Sequence, residues 1–421
     1  MFELAGGRPL RGSVRVPGDK SISHRALMMA ALADGTSRIS GLSSGRDVAH
    51  TGSAIRALGA LVEEDRVTGG VGLLHATDGP IDVGNSGTTI RLLSGLCARF
   101  PWRTVLLGDE SIARRPMDRV AVPLRQMGAG VVGRTEDGGG TFPPLTVNGG
   151  GLRGIEYRLP VASAQVKGAV LLAALGAEGE TVVRESVRTR THTEEMLGAF
   201  GADVEVSGDG LTTVVRPSDV EPFEIEVPGD PSQGAFWVVA ASVVPGSELT
   251  VEPVYLGPGR SGFLDVLRRM GADLDVEPVG PAAGRLHVRH APLHATDVGG
   301  DEVPGLVDEI PVLAVAAVFA EGVTTFRDAS ELRVKESDRI TTVAAELSAL
   351  GAAVEPRPDG LVVTGPATLR GAPVRSHGDH RLAMALAVAA LVAEGSSRIE
   401  GWEAVATSYP GFEEDLRRLW E

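Results

Sequence analysis

The sequence predicts an α/β protein of two units, each made of three repeats with helices inside and sheets outside. Three observations carry that reading: a motif recurring at a near-constant interval, a set of Ala-rich helices with no polar face, and one interruption near the middle of the chain.

The motif is a helix-like stretch ending in an apolar residue, then Gly-Ala, then alternating apolar residues. It stands at Leu58-Gly59-Ala60, Met127-Gly128-Ala129, Phe200-Gly201-Ala202, Met270-Gly271-Ala272 and Leu350-Gly351-Ala352, with spacings of 69, 73, 70 and 80 residues. Each copy reads as a helix stopped by a C-terminal glycine and followed by a short strand, such as Ala202-Asp203-Val204-Glu205-Val206.

The Ala-rich stretches 21–33, 88–98, 163–175, 233–244, 310–320 and 380–393 are apolar around most of a helical circumference. Such a helix must be covered on all sides, which leaves the outside to the sheets. A repeat of roughly seventy residues buries its own helix poorly, so repeats must associate into larger bodies. Val227-Pro228-Gly229-Asp230-Pro231 breaks the pattern with three repeats on either side, and Val16-Pro17-Gly18-Asp19-Lys20 echoes it near the start. The expected units are 15–227, and 228–421 with 1–14.

Composition limits the function classes. In 421 residues, 43% apolar and 23% charged residues describe a chain with a real core, and 4% aromatics with 55 glycines describe a core of small and branched side chains. A net charge of −15 has the wrong sign for a general nucleic-acid or anionic-membrane binder. The single cysteine, Cys97, excludes an intramolecular disulfide and a Cys-rich zinc site, and reads as a packed small hydrophobe. No run of 18 apolar residues occurs, and Met1-Phe2-Glu3-Leu4 does not open a signal peptide, so a cytoplasmic chain is expected. Gly70-Val71-Gly72 lacks the third glycine of a dinucleotide fingerprint, and Gly18-Asp19-Lys20-Ser21 lacks the glycine a P-loop needs before lysine. His377 and His380 form the one histidine pair in a helical context, too little for a metal site, so neither metal nor cofactor is expected.

The cations are informative. Three lysines, Lys20, Lys167 and Lys335, stand against 37 arginines, which makes each a candidate for a place where only a compact ammonium fits. Polar residues gather at the starts of all six apolar helices, as in Gly18-Asp19-Lys20-Ser21, Gly84-Asn85-Ser86-Gly87, Ser163-Ala164-Gln165, Gly229-Asp230-Pro231-Ser232, Asp308-Glu309 and Gly378-Asp379-His380-Arg381. Helix starts carry unpaired N–H groups and the positive end of the dipole, so several converging would hold anions, although N-capping accounts for any one of them. Cations accompany them: Lys20 with Arg25, Arg91 with Arg114 and Arg115, Lys335 with Arg333 and Arg339, and Arg381. Carboxylates at Asp308, Glu309, Glu336 and Asp338 lie among these cations and supply candidate acids and bases.

The runs Pro17-Gly18-Asp19-Lys20-Ser21-Ile22-Ser23-His24-Arg25-Ala26, Gly84-Asn85-Ser86-Gly87-Thr88, Arg115-Pro116-Met117, Ser163-Ala164-Gln165-Val166-Lys167, Arg333-Val334-Lys335-Glu336-Ser337-Asp338-Arg339 and Asp379-His380-Arg381, in this order, closely resemble the 5-enolpyruvylshikimate-3-phosphate synthase family. The resemblance spans the chain. It implies two domains of three βαβαββ units each, with the site in the cleft between them. It also implies transfer of the enolpyruvyl group of phosphoenolpyruvate to the 5-hydroxyl of shikimate 3-phosphate, without a cofactor. By position, the resemblance makes Lys20, Asp308 and Glu336 catalytic. It assigns Lys20, Ser21, Arg25, Ser163, Ala164, Gln165, Arg190, Asp308 and Lys335 to shikimate 3-phosphate. Lys20, Asn85, Gly87, Arg115, Gln165, Arg339 and Arg381 fall to phosphoenolpyruvate. The implied partners are those two small molecules, with no nucleic acid and no membrane, and the implied state is a monomer. Two domains sharing a cationic cleft would close when anions enter.

The chain departs from the family pattern in places. Ala164 stands where one branch has a second serine, and Thr407-Ser408-Tyr409-Pro410 has no lysine where some members carry one. Gly87 leaves room for glyphosate. The closest rival, the UDP-N-acetylglucosamine enolpyruvyl transferase, carries a reactive cysteine where this chain has Gly108-Asp109-Glu110-Ser111-Ile112-Ala113-Arg114-Arg115-Pro116. A repeat protein that binds anions without turnover is the rival from another class, and retained carboxylates beside the lysines argue against it.

Overall fold

Each Gly-Ala motif closes a helix in the same way. In the computed structural model, which describes residues 1–136 and 139–420, the helices Arg46–Ala57, Asp118–Gln126, His192–Ala199, Gly262–Arg269 and Arg339–Ala349 all run into it. Gly59, Gly128, Gly201, Gly271 and Gly351 take φ between +88° and +111°, a region closed to most residues with a Cβ. The alanine that follows donates to the carbonyl five residues back: Ala60 to Ile55, Ala129 to Leu124, Ala202 to Leu197, Ala272 to Leu267 and Ala352 to Leu347, at 2.9–3.0 Å. This is the Schellman closure, and it turns the chain into the next strand.

The apolar stretches form the helices Lys20–Leu32, Gly87–Ala98, Ala164–Ala174, Pro231–Val243, Ile310–Phe319 and His380–Ala390, within a few residues of the expected bounds. Pro231–Val243 and His380–Ala390 are buried at every position, as helices without a polar face require. Packing near Pro231–Val243 uses the few aromatics: Trp237 stacks on Phe412 at 4.7 Å and donates Nε1–H to the Tyr409 hydroxyl at 3.2 Å.

Among the described residues five sheets share one four-strand order, and the sixth has three strands. Ile81–Asp82 runs parallel to Arg103–Leu107, with the Gly87–Ala98 helix as the crossover between them. Gly139–Asn148 then adds antiparallel, and Gly130–Glu136 pairs with it at the edge. Glu156–Arg158, Thr181–Arg184, Thr212–Val215 and Val204–Val206 repeat this arrangement around the Ala164–Ala174 helix. Two sheets exchange their parallel strand. Arg11–Val14, which precedes the Lys20 helix, pairs with Glu248–Tyr255, while Glu224–Glu226 pairs with Gly35–Ser40. In the last sheet Phe2–Ala5 lies antiparallel on Ser396–Glu400.

That exchange divides the chain into two units, Lys20–Val227, and Met1–Asp19 with Pro228–Glu421. Residues 15–19, expected with the first unit, are held in the second. Asp19 N–H donates to the Pro228 carbonyl at 2.7 Å, and Asp230 N–H donates to that of Pro17 at 2.8 Å. The buried Arg260 guanidinium bridges both crossings, meeting Asp19 at 2.7 Å and Asp230 at 2.6 Å. Among the described residues, no helix is long and apolar enough to cross a membrane.

Candidate active site

In the unit Lys20–Val227, three helix starts gather the predicted residues. Lys20 opens its helix and places Nζ 3.0 Å from Asp47 on the helix Arg46–Ala57. One turn on, buried Arg25 donates to the Ser21 carbonyl at 2.9 Å, to Thr193 Oγ1 at 2.7 Å and to the Ala164 carbonyl at 3.5 Å. Ser163 caps its helix by accepting from Val166 N–H, and Gln165 reaches across to the Gly87 helix. There Gln165 accepts from Arg91 at 2.7 Å and donates to Thr88 Oγ1 at 3.0 Å. Asn85 precedes the third start, accepting from Arg115 at 3.3 Å and donating to Asp109 at 2.8 Å. Arg190 sits half-buried in the loop before the helix His192–Ala199.

Gly87 matters for the space it leaves. A Cβ there would lie 2.9 Å from Arg115 Nη1 and 3.1 Å from Arg91 Nη1, so two guanidiniums close over a helix N-terminus only because the side chain is missing. Backbone N–H groups, the helix dipole and two planar cations together describe an anion site.

The unit Met1–Asp19 with Pro228–Glu421 holds the acidic candidates. The Asp308 carboxylate lies 3.2 Å from Arg339, 3.5 Å from Lys335 and 3.9 Å from Arg381, and its carbonyl accepts from Arg381 at 3.1 Å. Arg339, buried and opening the helix Arg339–Ala349, also meets Asp379 at 2.7 Å and Glu336 at 2.6 Å. Burial works against the Arg339 charge, but Asp379 and Glu336 raise its pKa above the ordinary arginine range. Burial likewise pushes the Asp379 carboxyl up, and Arg339 more than offsets it, leaving the pKa below the ordinary range. Lys335 pairs with Glu331 at 2.9 Å. Arg381 approaches Glu309 at 3.5 Å, and Glu309 accepts a short hydrogen bond from Ser232, whose hydroxyl also accepts from Arg260 at 3.2 Å. An ionic network thus runs from the crossings to Asp308.

Some expected residues face elsewhere. Lys167 is 1% exposed, with its ammonium 2.6 Å from Glu185 and 2.7 Å from Glu194, so this lysine belongs to a buried ion triad. Arg114 is exposed on Glu110, and Arg333 is spent on Asp338 and the carbonyls of Arg357 and Pro358. His377 meets Glu346 at 2.7 Å, while His380 is buried and opens the helix His380–Ala390. Tyr409, in the segment without a lysine, is packed in the core and donates to Asp415 at 2.7 Å. Asp47, Arg260 and Asp379 escaped the sequence-based site. Asp379 carried the signal of an N-cap before Arg381, whereas Asp47 and Arg260 meet their partners across distant segments without any local motif.

Fold and site together define the class: a repeat-built α/β protein in which helix starts, arginines and lysines gather beside carboxylates. The family model described as EPSP synthase (3-phosphoshikimate 1-carboxyvinyltransferase) matches residues 4–416. Curated relatives named 3-phosphoshikimate 1-carboxyvinyltransferase include one from Synechococcus sp. (strain JA-3-3Ab), 51% identical over 100% of this chain and 96% of its own length. Another, from Gloeobacter violaceus, is 53% identical over 99% and 98%. A solved EPSP synthase from Acinetobacter baumannii superposes with a TM-score of 0.86 at 40% identity, covering 99% of this chain and 97% of that one. The enolpyruvyl transferase NikO from Streptomyces tendae shares the fold, with a TM-score of 0.79 at 22% identity over 99% and 96% of the two chains. The chain belongs to the EPSP synthase family.

Proposed function

We propose that this chain transfers the enolpyruvyl group of phosphoenolpyruvate to the 5-hydroxyl of shikimate 3-phosphate and releases phosphate, a step of aromatic amino-acid biosynthesis. It acts as a cytoplasmic monomer, without cofactor, nucleic acid or membrane. The observation that carries the reading is Asp308, a carboxylate faced by Lys335, Arg339 and Arg381 within one unit. The names of the relatives support the shikimate acceptor over UDP-N-acetylglucosamine.

The roles of the residues follow the family likeness. Lys20, Ser21, Arg25, Ser163, Gln165, Arg190 and Lys335 hold shikimate 3-phosphate, with the Ala164 backbone beside it. Lys20, Asn85, Gly87, Gln165, Arg115, Arg339 and Arg381 hold phosphoenolpyruvate. The Arg339 guanidinium already donates to three carboxylates, so a substrate oxygen reaches it by displacing Glu336 or Asp308.

The chemistry is an addition followed by an elimination. Asp308 takes the hydroxyl proton as the oxygen bonds to C2, and Glu336 with Lys20 delivers a proton to C3, giving a tetrahedral phosphate ketal. Removal of a C3 proton then restores the double bond as the C2–O bond to phosphate breaks. Helix N–H groups and guanidiniums stabilise the departing charge. The test is phosphate release with phosphoenolpyruvate and either acceptor. Release with shikimate 3-phosphate alone is expected, and release with UDP-N-acetylglucosamine alone would overturn the reading.

A further inference from the structure

A buried hydrogen-bonded chain lies beneath two of these helix starts, and the chemistry above makes no use of it. His24 Nδ1 meets Thr51 Oγ1 at 2.7 Å, Thr51 Oγ1 meets Thr89 Oγ1 at 2.7 Å, and Thr89 Oγ1 donates to Ser86 Oγ at 2.7 Å. All four side chains are fully buried. The polarity of the chain is set at its Ser86 end. The single hydroxyl proton of Thr89 goes to Ser86, so Thr89 accepts from Thr51. The proton of Thr51 is then spent, so Thr51 accepts from the imidazole. His24 is thereby held as the Nδ1–H tautomer. Its Nε2 is buried without a hydrogen-bond partner among the described residues, so a second proton there would find no acceptor. Burial first, and then the Lys20 and Arg25 cations, hold the imidazole pKa well below the ordinary histidine range.

The chain sits where register matters. Lys20 and His24 are one turn apart on one helix, and Asp47 and Thr51 are one turn apart on the next. The Lys20–Asp47 and His24–Thr51 contacts are therefore successive rungs between the same two helices. The Thr51–Thr89 bond ties both to the helix that begins at Gly87. Sliding any of the three helices would strand a buried polar group, which fixes the rows against one another.

We propose that His24 is a positioning residue: through Thr51 and Thr89 its neutral Nδ1–H imidazole sets the register of three helices, so that the Lys20 ammonium and the Gly87 backbone serve the same phosphoenolpyruvate. This rests on the reading of Lys20 and Gly87 as contacts of that substrate.

Two measurements on the full chain test it. Nitrogen-15 NMR, with the His24 signal identified by its loss in His24→Asn, should show a neutral Nδ1–H tautomer at pH 7. An Nε2–H tautomer or an imidazolium overturns the proposal whether or not any variant folds. In steady-state kinetics on titrated active sites, Thr51→Val keeps the side-chain shape and removes the hydroxyl. It should raise the KM for phosphoenolpyruvate roughly tenfold or more, with a smaller effect on kcat. His24→Asn keeps an N–H near the Nδ1 position and should stay within about threefold of the parent. A Thr51→Val protein that loses thermal stability but keeps its KM overturns the proposal and leaves only a packing role. Lys20→Met separates the two layers. If it is as active as the parent, the underlying site reading fails; if it is inactive while Thr51→Val keeps its KM, only the His24 proposal fails.

Discussion

The Arg339 guanidinium donates Nε–H to Asp379 at 2.7 Å, and neither side chain is more than 1% exposed. The same aspartate accepts from Arg381 N–H at 2.9 Å as the N-cap of the helix His380–Ala390, so one carboxylate caps one helix and anchors the cation that opens another.

Asp379→Asn should therefore destabilise strongly, by about 3–5 kcal/mol, because a buried guanidinium loses its principal partner. Its pH dependence has a definite sign. The folded pKa lies below the unfolded one, so the stability this group contributes is present above the ordinary carboxylate pKa of about 4 and is lost as pH falls through the lower folded value. Urea titrations across that acid range should show a shallower pH slope for Asp379→Asn than for the parent.

Gly87→Ala tests the space above the second helix start. The added methyl lies 2.9 Å from Arg115 Nη1 and 3.1 Å from Arg91 Nη1, so both guanidiniums must shift. A rise in the KM for phosphoenolpyruvate of roughly tenfold is expected, with kcat less affected, and initial-rate kinetics read both. In the parent, glyphosate should compete with phosphoenolpyruvate at this place, as initial rates at varied substrate would show.

Lys20 and Lys167 should part company when each is replaced by methionine. Lys167→Met leaves Glu185 and Glu194 buried around an apolar chain and should cost about 3–5 kcal/mol of stability, read by chemical denaturation, with kcat retained in the folded fraction. Lys20→Met removes a side chain that is 17% exposed where that of Lys167 is 1% exposed, so it should cost less stability than Lys167→Met while kcat falls roughly a hundredfold or more.

Gly351→Ala isolates the backbone term of the repeat motif. The nearest atom to an added Cβ is the Thr368 carbonyl oxygen at 3.6 Å, an ordinary contact, whereas φ is +100°. The variant should lose about 1–2 kcal/mol from left-handed strain alone, measured as a shift of the denaturation midpoint at unchanged slope.

The repeat architecture was legible because its signals are local. A Schellman closure needs only a glycine and its near neighbours, and a buried helix announces itself by lacking a polar face, so Leu58-Gly59-Ala60 and the stretch 233–244 could be read without knowing what packs on them. Boundaries were less legible: residues 15–19 follow the hydrogen bonds of Asp19 and Pro17 with partners more than two hundred positions away. The scarcity of lysine marks three residues, yet Lys167 is ion-paired in the core because Glu185 and Glu194 reach it from later segments. No pattern pointed to Asp47 beneath Lys20 or to Arg260 between Asp19 and Asp230.

From the sequence alone came the helices and their ends, the repeat, the balance of charges and the family likeness, since each rests on neighbouring residues or on totals. Which cation meets which carboxylate, and which polar chain is sealed from water, only the tertiary structure decided. Coulomb and hydrogen-bond energies depend on separations of a few ångströms between groups that the chain order keeps far apart, and on a burial that no single segment can create.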